Sequence, residues 1–294
     1  MKVLITGGTG YLGSKMAYRL TTKGYEVAIL IRSRSKVPNF LSQIPKFTIN
    51  QCNNNDEIYE VIKNFRPDLV FHAACCYGRS NETFSEIIST NIGLGVAILN
   101  SLNQLLNPAT FINVGTSLPS DTSLYALTKN EFRNFGKLSV NHPSLNLQFL
   151  NLSVEHFYGP KENENKFIPY ILSKCLKIGS DIDLTLGEQK RDFIFIDDLI
   201  NACLKIIERI PTFTKYESIS VGSGEAYSIK DIVLLIHKLT ESKSNLKFGS
   251  LPYRSNEVMF SKADVSVLKK LGWKPQVSIF QGISQIINEE FKML

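Results

Sequence analysis

Six short apolar runs punctuate the first half of the chain, at Lys2–Thr6, Glu26–Ile31, Lys46–Asn50, Leu69–Ala73, Thr110–Val114 and Leu147–Leu152. Most are continuous rather than alternating, the pattern of strands covered on both faces. Between them, apolar residues recur at helical spacing over about 12–23, 56–64, 83–105 and 124–139. Strands that alternate with helices predict a doubly wound parallel sheet with helices on both faces. After Gly159-Pro160 the alternation breaks. A helix over 166–178, a short strand near Asp183–Leu186 and helices over 197–209, 228–240, 262–271 and 279–291 predict a smaller C-terminal α/β lobe. The expected division is 1–155, joined again by 188–210, against 156–187 and 211–294. The run Asn53-Asn54-Asn55 is too short for more than a loop and a helix cap.

The first strand leads into glycines at 7, 10 and 13, and a helical pattern follows at once. Strand, tight glycine turn and helix set a pyrophosphate against a helix N-terminus, so a Rossmann-like dinucleotide site is predicted. Gly7 permits the turn, Gly10 lets the backbone approach phosphate, and Gly13 lets the helix pack closely. Thr9, Tyr11 and Leu12 complete the loop. An NAD-preferring site places a carboxylate at the end of the second strand. Here that position is Ile31, followed by Arg32, Ser33 and Arg34, which favours the 2′-phosphate of NADP(H) over NAD(H).

Tyr125 and Lys129 lie four apart in the helical run 124–139, so they share a face. An ammonium beside a phenol is expected to lower the phenol's pKa from its usual value near 10, suiting a general acid or base. Lys129 can also reach a nicotinamide ribose. The pair follows a strand ending in Val114-Gly115-Thr116-Ser117, where a hydroxyl can polarise the same carbonyl.

Composition narrows the class. The chain has 294 residues, 43% hydrophobic and 20% charged, ordinary for a globular protein with room for both lobes. A net charge of +6, spread without a basic run, makes nucleic acid an unexpected partner and suits an anionic substrate. The N-terminal apolar run is too short for a signal peptide, and no stretch reaches the roughly 18 apolar residues of a membrane span. Five cysteines (52, 75, 76, 175, 203) lack metal-ligand spacing, so no metal is expected and buried thiols are. A cytoplasmic protein without membrane attachment is expected.

Further motifs join these: His72-Ala73-Ala74, Thr90-Asn-Ile-Gly93, Tyr158-Gly-Pro160, Arg191-Asp-Phe-Ile-Phe-Ile-Asp-Asp198 and Leu271-Gly-Trp-Lys-Pro275. In this order the set resembles the extended short-chain dehydrogenase/reductase family, whose members act on nucleotide sugars, and the resemblance runs nearly end to end. It implies Thr116, Tyr125 and Lys129 as the catalytic triad. It implies Asn53, Ala73, Ala74 and Asn91 as cofactor contacts, although relatives carry an adenine-binding Asp near Asn53. For the substrate it implies Cys76, Ser117, Lys166 and Phe167, with Arg191 and Arg254 on the nucleotide's phosphates or ribose. His156 stands where many relatives have a substrate-binding asparagine. His72 is expected to be structural. A homodimer through the 83–105 and 124–139 helices is common in the family.

Departures from the family select among its reactions. The 4,6-dehydratases follow the catalytic threonine with Asp-Glu, whereas Thr116 is followed by Ser117-Leu118. The fucose-type epimerase–reductases need a cysteine just after the strand and a histidine soon after the Gly-Pro turn, and no histidine lies between Pro160 and His237. Only eight residues separate Thr116 from Tyr125, and Glu155-His-Phe-Tyr-Gly-Pro160 follows. Both stretches are similar to the abequose- and paratose-type 4-ketoreductases of O-antigen biosynthesis. The expectation is NADPH-dependent reduction of a CDP- or dTDP-linked 4-keto-6-deoxy- or 3,6-dideoxyhexose. The alternatives are an NAD-dependent nucleotide-sugar epimerase and a non-catalytic dinucleotide sensor. The sensor class usually lacks the Tyr–Lys pair.

Overall fold

A computed structural model describes residues 1–33, 35–42, 47–177, 179 and 181–291. The chain divides into two compact units. The first comprises Met1–Ser153 and Ile206–Ile219, the second Val154–Lys205 and Ser220–Leu294. The segment that rejoins the first unit is therefore 206–219, against the 188–210 read from the sequence. Its draw is Tyr216–Val221, which adds a strand to the sheet. The run Tyr-Glu-Ser-Ile-Ser-Val alternates in polarity, yet its short length hid it.

In the first unit the order is β1 (Lys2–Thr6), α1 (Tyr11–Thr22), β2 (Glu26–Ile31), α2 (Asn39–Ser42), β3 (Phe47–Gln51), α3 (Asn55–Phe65), β4 (Leu69–His72), α4 (Phe84–Ile88), α5 (Leu94–Gln104), β5 (Ala109–Val114), α6 (Leu124–Ser139) and β6 (Leu147–Val154). Seven strands form one sheet, ordered 216–221, β6, β5, β4, β1, β2, β3. The pairs from β3 through β6 are parallel. The order reverses between β1 and β4, the switch point at which such sheets bind ligands beyond their carboxyl ends. Central β1, β2 and β4 are almost wholly buried, as their continuous apolar runs predict, while edge strand β3 is half exposed.

Rings fix the packing of α6 on the sheet. Phe111 of β5 stacks on Phe149 of β6 at 5.2 Å, and Phe132 of α6 meets Phe111 edge-on at 5.8 Å. Each such buried ring contributes about 1.5–3 kcal/mol through the area it removes from water. A Cβ on Gly95 would lie 2.2 Å from the Phe132 ring, so a side chain there would force α5 off α6.

The long helix expected over 83–105 is three pieces. A π-helical turn at Ser89–Gly93 joins α4 to α5 and carries the Thr90-Asn-Ile-Gly93 motif. Such bulges cluster at functional sites because they re-aim a side chain.

The second unit holds a three-stranded sheet (226–228, 190–195, 156–158) and a parallel pair (181–184 with 245–248). Its helices are Phe167–Leu176, Ile196–Glu208 (which ends in the first unit), Ile229–Leu239, Ser266–Lys270 and Ile279–Glu290. Buried aspartates tie its loops. Asp192 accepts from the backbone N–H groups of Ser223, Gly224 and Ala263, and Asp198 from those of Gln276 and Val277. Two of the three acidic residues of the Arg191–Asp198 motif, Asp192 and Asp198, therefore hold turns together.

Candidate active site

The glycine loop leaves β1 with Gly7 at φ +68°, a left-handed turn that costs a side-chain-bearing residue. A Cβ on Gly7 would also lie 2.7 Å from the Ala73–Ala74 backbone. A Cβ on Gly13 would sit 2.2 Å from the Gly7 carbonyl oxygen, so α1 can approach the loop only as glycine. Gly10 caps α1 with no side-chain hydrogen bond and no acidic residue follows in the first turn, which leaves the positive end of the helix dipole unneutralised. Thr9, Tyr11 and Leu12 lie in this turn, Leu12 buried beneath it. Ala74 N–H donates to Thr6 Oγ1 at 3.2 Å, which ties the end of β4 to β1.

The carboxyl ends of β2 and β3 bring three predicted residues together. Ser33 N–H donates to Asn53 Oδ1 at 3.2 Å, and Arg32 lies beside them, exposed. Asn53 N–H in turn donates to Glu57 Oε2 at 2.6 Å, so its backbone is committed within the protein. Neighbouring Asn54 caps α3 by accepting from Glu57 N–H. Arg34 lies outside the described residues.

The catalytic candidates lie where α6 begins. Ser123 accepts from Ala126 N–H and starts the helix two residues before Tyr125. Asn130 then donates to the carbonyls of Leu118 and Ala126 at 2.9 and 2.8 Å, binding the loop after β5 to the helix. Thr116, whose Oγ1 accepts from Leu118 N–H at 3.2 Å, is thereby set close enough to Tyr125 to favour the charged form of its phenol. Lys129, one turn further on, is 1% exposed, and its Nζ has no hydrogen-bond partner among the described residues. Ser117 Oγ is likewise buried without a partner.

Electrostatics here differ from the sequence expectation. Burial pushes the Tyr125 phenol above its ordinary 10, and Cys75 adds to the rise. Thr116 and the Arg79 charge pull the other way. Lys129 itself is pushed down to about 8 by burial. Desolvation disfavours both charged forms, so the neighbouring ammonium does not by itself make Tyr125 acidic. Spacing along α6 correctly predicts a shared helix face; it carries no information about how much water that face meets.

The loop after β4 supplies residues the sequence reading missed. The Tyr77 ring lies 4.7 Å from the Tyr125 ring, and the Arg79 guanidinium is 5.5 Å over Tyr77. Asn91, expected at the cofactor, is fully buried. Its Oδ1 accepts from Cys76 N–H at 2.7 Å, and its Nδ2 donates to the Cys76 carbonyl and Thr128 Oγ1, both at 2.9 Å. The π-turn thus aims Asn91 at the β4 loop and at α6, and clamps the Cys76 backbone. His72 is buried, shares a 2.8 Å hydrogen bond with Thr6 Oγ1, and is held far below its usual pKa by burial and the Lys129 charge.

In the second unit, strand 156–158 sets His156 opposite Phe193, with ring centroids 5.8 Å apart. Phe167 stacks on the other side chain of that pair, Phe193, at 6.0 Å. Arg191 precedes Phe193 by two residues, hence the same face of the strand. It is 6% exposed, donates to Glu257 at 2.5 Å and to the Lys190 carbonyl at 2.9 Å, and is lowered from its ordinary pKa chiefly by burial. Arg254 is exposed, and its carbonyl accepts from Glu257 N–H. Lys166 caps the helix at 167–176, and its charge opposes the burial that raises Glu162 to about 7. Glu257 and Ser261, distant in sequence from His156 and Arg191, carried no motif by which to find them.

A glycine cradle that a Cβ would fill, an uncapped helix N-terminus and a buried ammonium with no hydrogen-bond partner among the described residues fit the phosphates and ribose of a dinucleotide. Known proteins agree. The family model described as NAD dependent epimerase/dehydratase matches residues 3–222. CDP-abequose synthase of Salmonella typhimurium is 31% identical, with 97% of each chain covered. UDP-glucose 4-epimerase of Thermotoga maritima, solved with UDP-glucose, superposes with a TM-score of 0.84 at 21% identity, covering 100% of this chain and 99% of that one. The Thermus thermophilus UDP-glucose 4-epimerase, solved with NAD, gives 0.80 at 21% identity, with 98% of each chain covered. The structural likeness establishes the fold; the family match spans both the glycine loop and the Tyr125–Lys129 pair. The chain belongs to the NAD dependent epimerase/dehydratase family, the extended branch of the short-chain dehydrogenases/reductases.

Proposed function

We propose that this protein reduces the 4-keto group of a nucleotide-linked deoxyhexose, CDP- or dTDP-linked, with NADPH. The observation that carries the reading is Tyr125 and Lys129 on one face of α6, with Thr116 acting on the phenol and the buried Lys129 ammonium without a hydrogen-bond partner among the described residues. The similarity to CDP-abequose synthase over nearly the whole chain supports the substrate class. Ile31 where a carboxylate would stand at the end of β2, with Arg32 and Ser33 after it, supports NADPH.

The residues to hold the cofactor are Gly7, Gly10 and Gly13 at the pyrophosphate, Arg32 and Ser33 at the 2′-phosphate, and Lys129 at the nicotinamide ribose. When bound, NADPH supplies the hydride. Tyr125 holds the proton that the 4-oxygen takes as it becomes a hydroxyl, and its raised pKa keeps that proton in place at neutral pH. Thr116, which favours the charged form of the phenol, supports the charge that develops there. Arg191 and His156 bind the nucleotide's diphosphate, so that remote binding energy orients the hexose. Apolar residues exposed on α4 and α6, Phe84 (72%) and Leu138 (73%) foremost, support a homodimer, which sedimentation would test.

The test is NADPH oxidation with CDP-4-keto-3,6-dideoxyglucose and dTDP-4-keto-6-deoxyglucose, with NADH as control. Turnover is expected for the wild type, and Tyr125→Phe should lose it by at least about 100-fold while still binding NADPH. A second reading is favoured by the epimerase folds on which the chain superposes. An epimerase would retain NAD through purification and give no net oxidation with either sugar.

A further inference from the structure

Glu155 is a buried carboxylate, 6% exposed, whose hydrogen-bond donor among the described residues is one hydroxyl. Ser261 Oγ lies 2.7 and 2.8 Å from its two oxygens, but a hydroxyl carries a single proton. Buried carboxylates are ordinarily paired more fully, because an under-partnered charge away from water is costly. The next residue, His156, places Nδ1 3.8 Å from Glu155 Oε2, just beyond hydrogen-bond reach. That Nδ1 is buried and has no hydrogen-bond partner among the described residues, while the side chain as a whole is 37% exposed. A small ring rotation closes the pair if the ring carries a proton on Nδ1.

Charge in this cluster has the wrong sign for an anionic ligand. Glu155 and Glu257 contribute two negative charges. Arg191, whose charge acts on both, contributes one positive charge and is hydrogen-bonded to Glu257. With a neutral imidazole the sum is negative, although a diphosphate is to bind here. No other group within the buried cluster corrects it: Phe193 faces the imidazole from the neighbouring strand, Tyr227 lies opposite Arg191, Tyr158 is a buried phenol, and Arg254, three residues before Glu257, is exposed to water. One proton on His156 balances the two carboxylates. It also turns Nδ1–H toward Glu155 and leaves Nε2–H to donate to a phosphate oxygen.

We propose that Glu155 and His156 form a proton-linked receptor for the diphosphate of a nucleotide ligand, with Glu155 as the positioning residue and His156 taking up a proton as the anion binds. The proposal rests on reading the second unit as the nucleotide-diphosphate site. It goes beyond that reading by making affinity depend on pH through one named residue. A single linked proton changes the dissociation constant by at most about tenfold per pH unit.

The experiment is calorimetric titration of the whole chain with CDP-glucose and UDP-glucose between about pH 5.5 and 8.5, the range in which imidazole titrates. Neither ligand has a phosphate ionisation in that window. For the wild type, the dissociation constant should fall about tenfold or more from the top of the range to the bottom. Heats in two buffers of different ionisation enthalpy should report net proton uptake, a readout that needs no variant. His156→Gln should bind with little pH dependence, and Glu155→Gln should displace the pH-dependent limb to lower pH. Glu162, near 7 beside Lys166, titrates in the same window, so Glu162→Gln is the discriminating control and should keep the slope. A flat wild-type profile, no proton uptake, or a slope lost in Glu162→Gln but kept in His156→Gln would overturn the proposal while leaving the nucleotide-sugar reading standing. Failure of both nucleotide sugars to bind at any pH would overturn that reading, and the proposal with it.

Discussion

Replacing Lys129 by methionine should stabilise the ligand-free protein while removing its turnover. The ammonium is 1% exposed and without a hydrogen-bond partner among the described residues, and burial takes its pKa from 10.5 to about 8. At 1.36 kcal/mol per pH unit, that fall corresponds to about 3 kcal/mol of destabilisation by the charged form. Below pH 8 the lysine is protonated in both folded and unfolded chains, and the folded state bears the whole cost. Between about 8 and 10.5 the unfolded chain holds more protons, so stability rises with pH, and above that range the cost is gone. Methionine keeps the unbranched shape without the charge, and its fit should return most of the 3 kcal/mol, about 1–3 after imperfect packing. Urea unfolding of wild type and Lys129→Met at pH 7 and again near pH 10 measures it. The variant should be the more stable at pH 7, with the gap narrowing at the higher pH. A variant less stable than wild type at pH 7, or a wild type whose stability is flat between pH 8 and 10, would refute an unpaired buried ammonium.

Gly13→Ala places a methyl 2.2 Å from the Gly7 carbonyl oxygen. The clash is with backbone that cannot swing aside, so overpacking of about 1–3 kcal/mol outweighs about 1 kcal/mol of helix propensity, and stability should fall by up to about 2 kcal/mol. NADPH affinity, followed by fluorescence titration, should drop at least about tenfold because the phosphate cradle opens. Asn91→Leu removes the side-chain partners of the Cys76 N–H and carbonyl and of Thr128. A loss of about 2–4 kcal/mol is expected by urea unfolding, and a loss under 1 kcal/mol would mean that water replaces the amide. Arg32→Asp should move the ratio of kcat/KM for NADPH over NADH toward NADH by about tenfold or more, and an unchanged ratio would remove Arg32 from the 2′-phosphate site.

Some of this protein was settled by neighbours along the chain. Continuous apolar runs mark β1, β2 and β4 because strands buried on both faces need no polar alternation. Glycines at 7 and 13 mark a turn and a close approach that a Cβ forbids, and a four-residue interval puts Tyr125 and Lys129 on one face of α6. Each of these follows from local geometry. The strand Tyr216–Val221 was missed although it alternates, since a six-residue run gains its stability from pairing beside β6 and not from its own sequence. Tertiary structure alone decided the chemistry. Arg191 finds Glu257 and Glu155 finds Ser261 across 66 and 106 residues, and Asn91 clamps the Cys76 backbone fifteen residues away. The phenol of Tyr125 rises in pKa where its spacing from Lys129 predicts a fall. Spacing specifies which groups are near one another along an element, whereas the loss of water and the partners brought from distant segments set the free energy of each charge, and these exist only once the chain has folded.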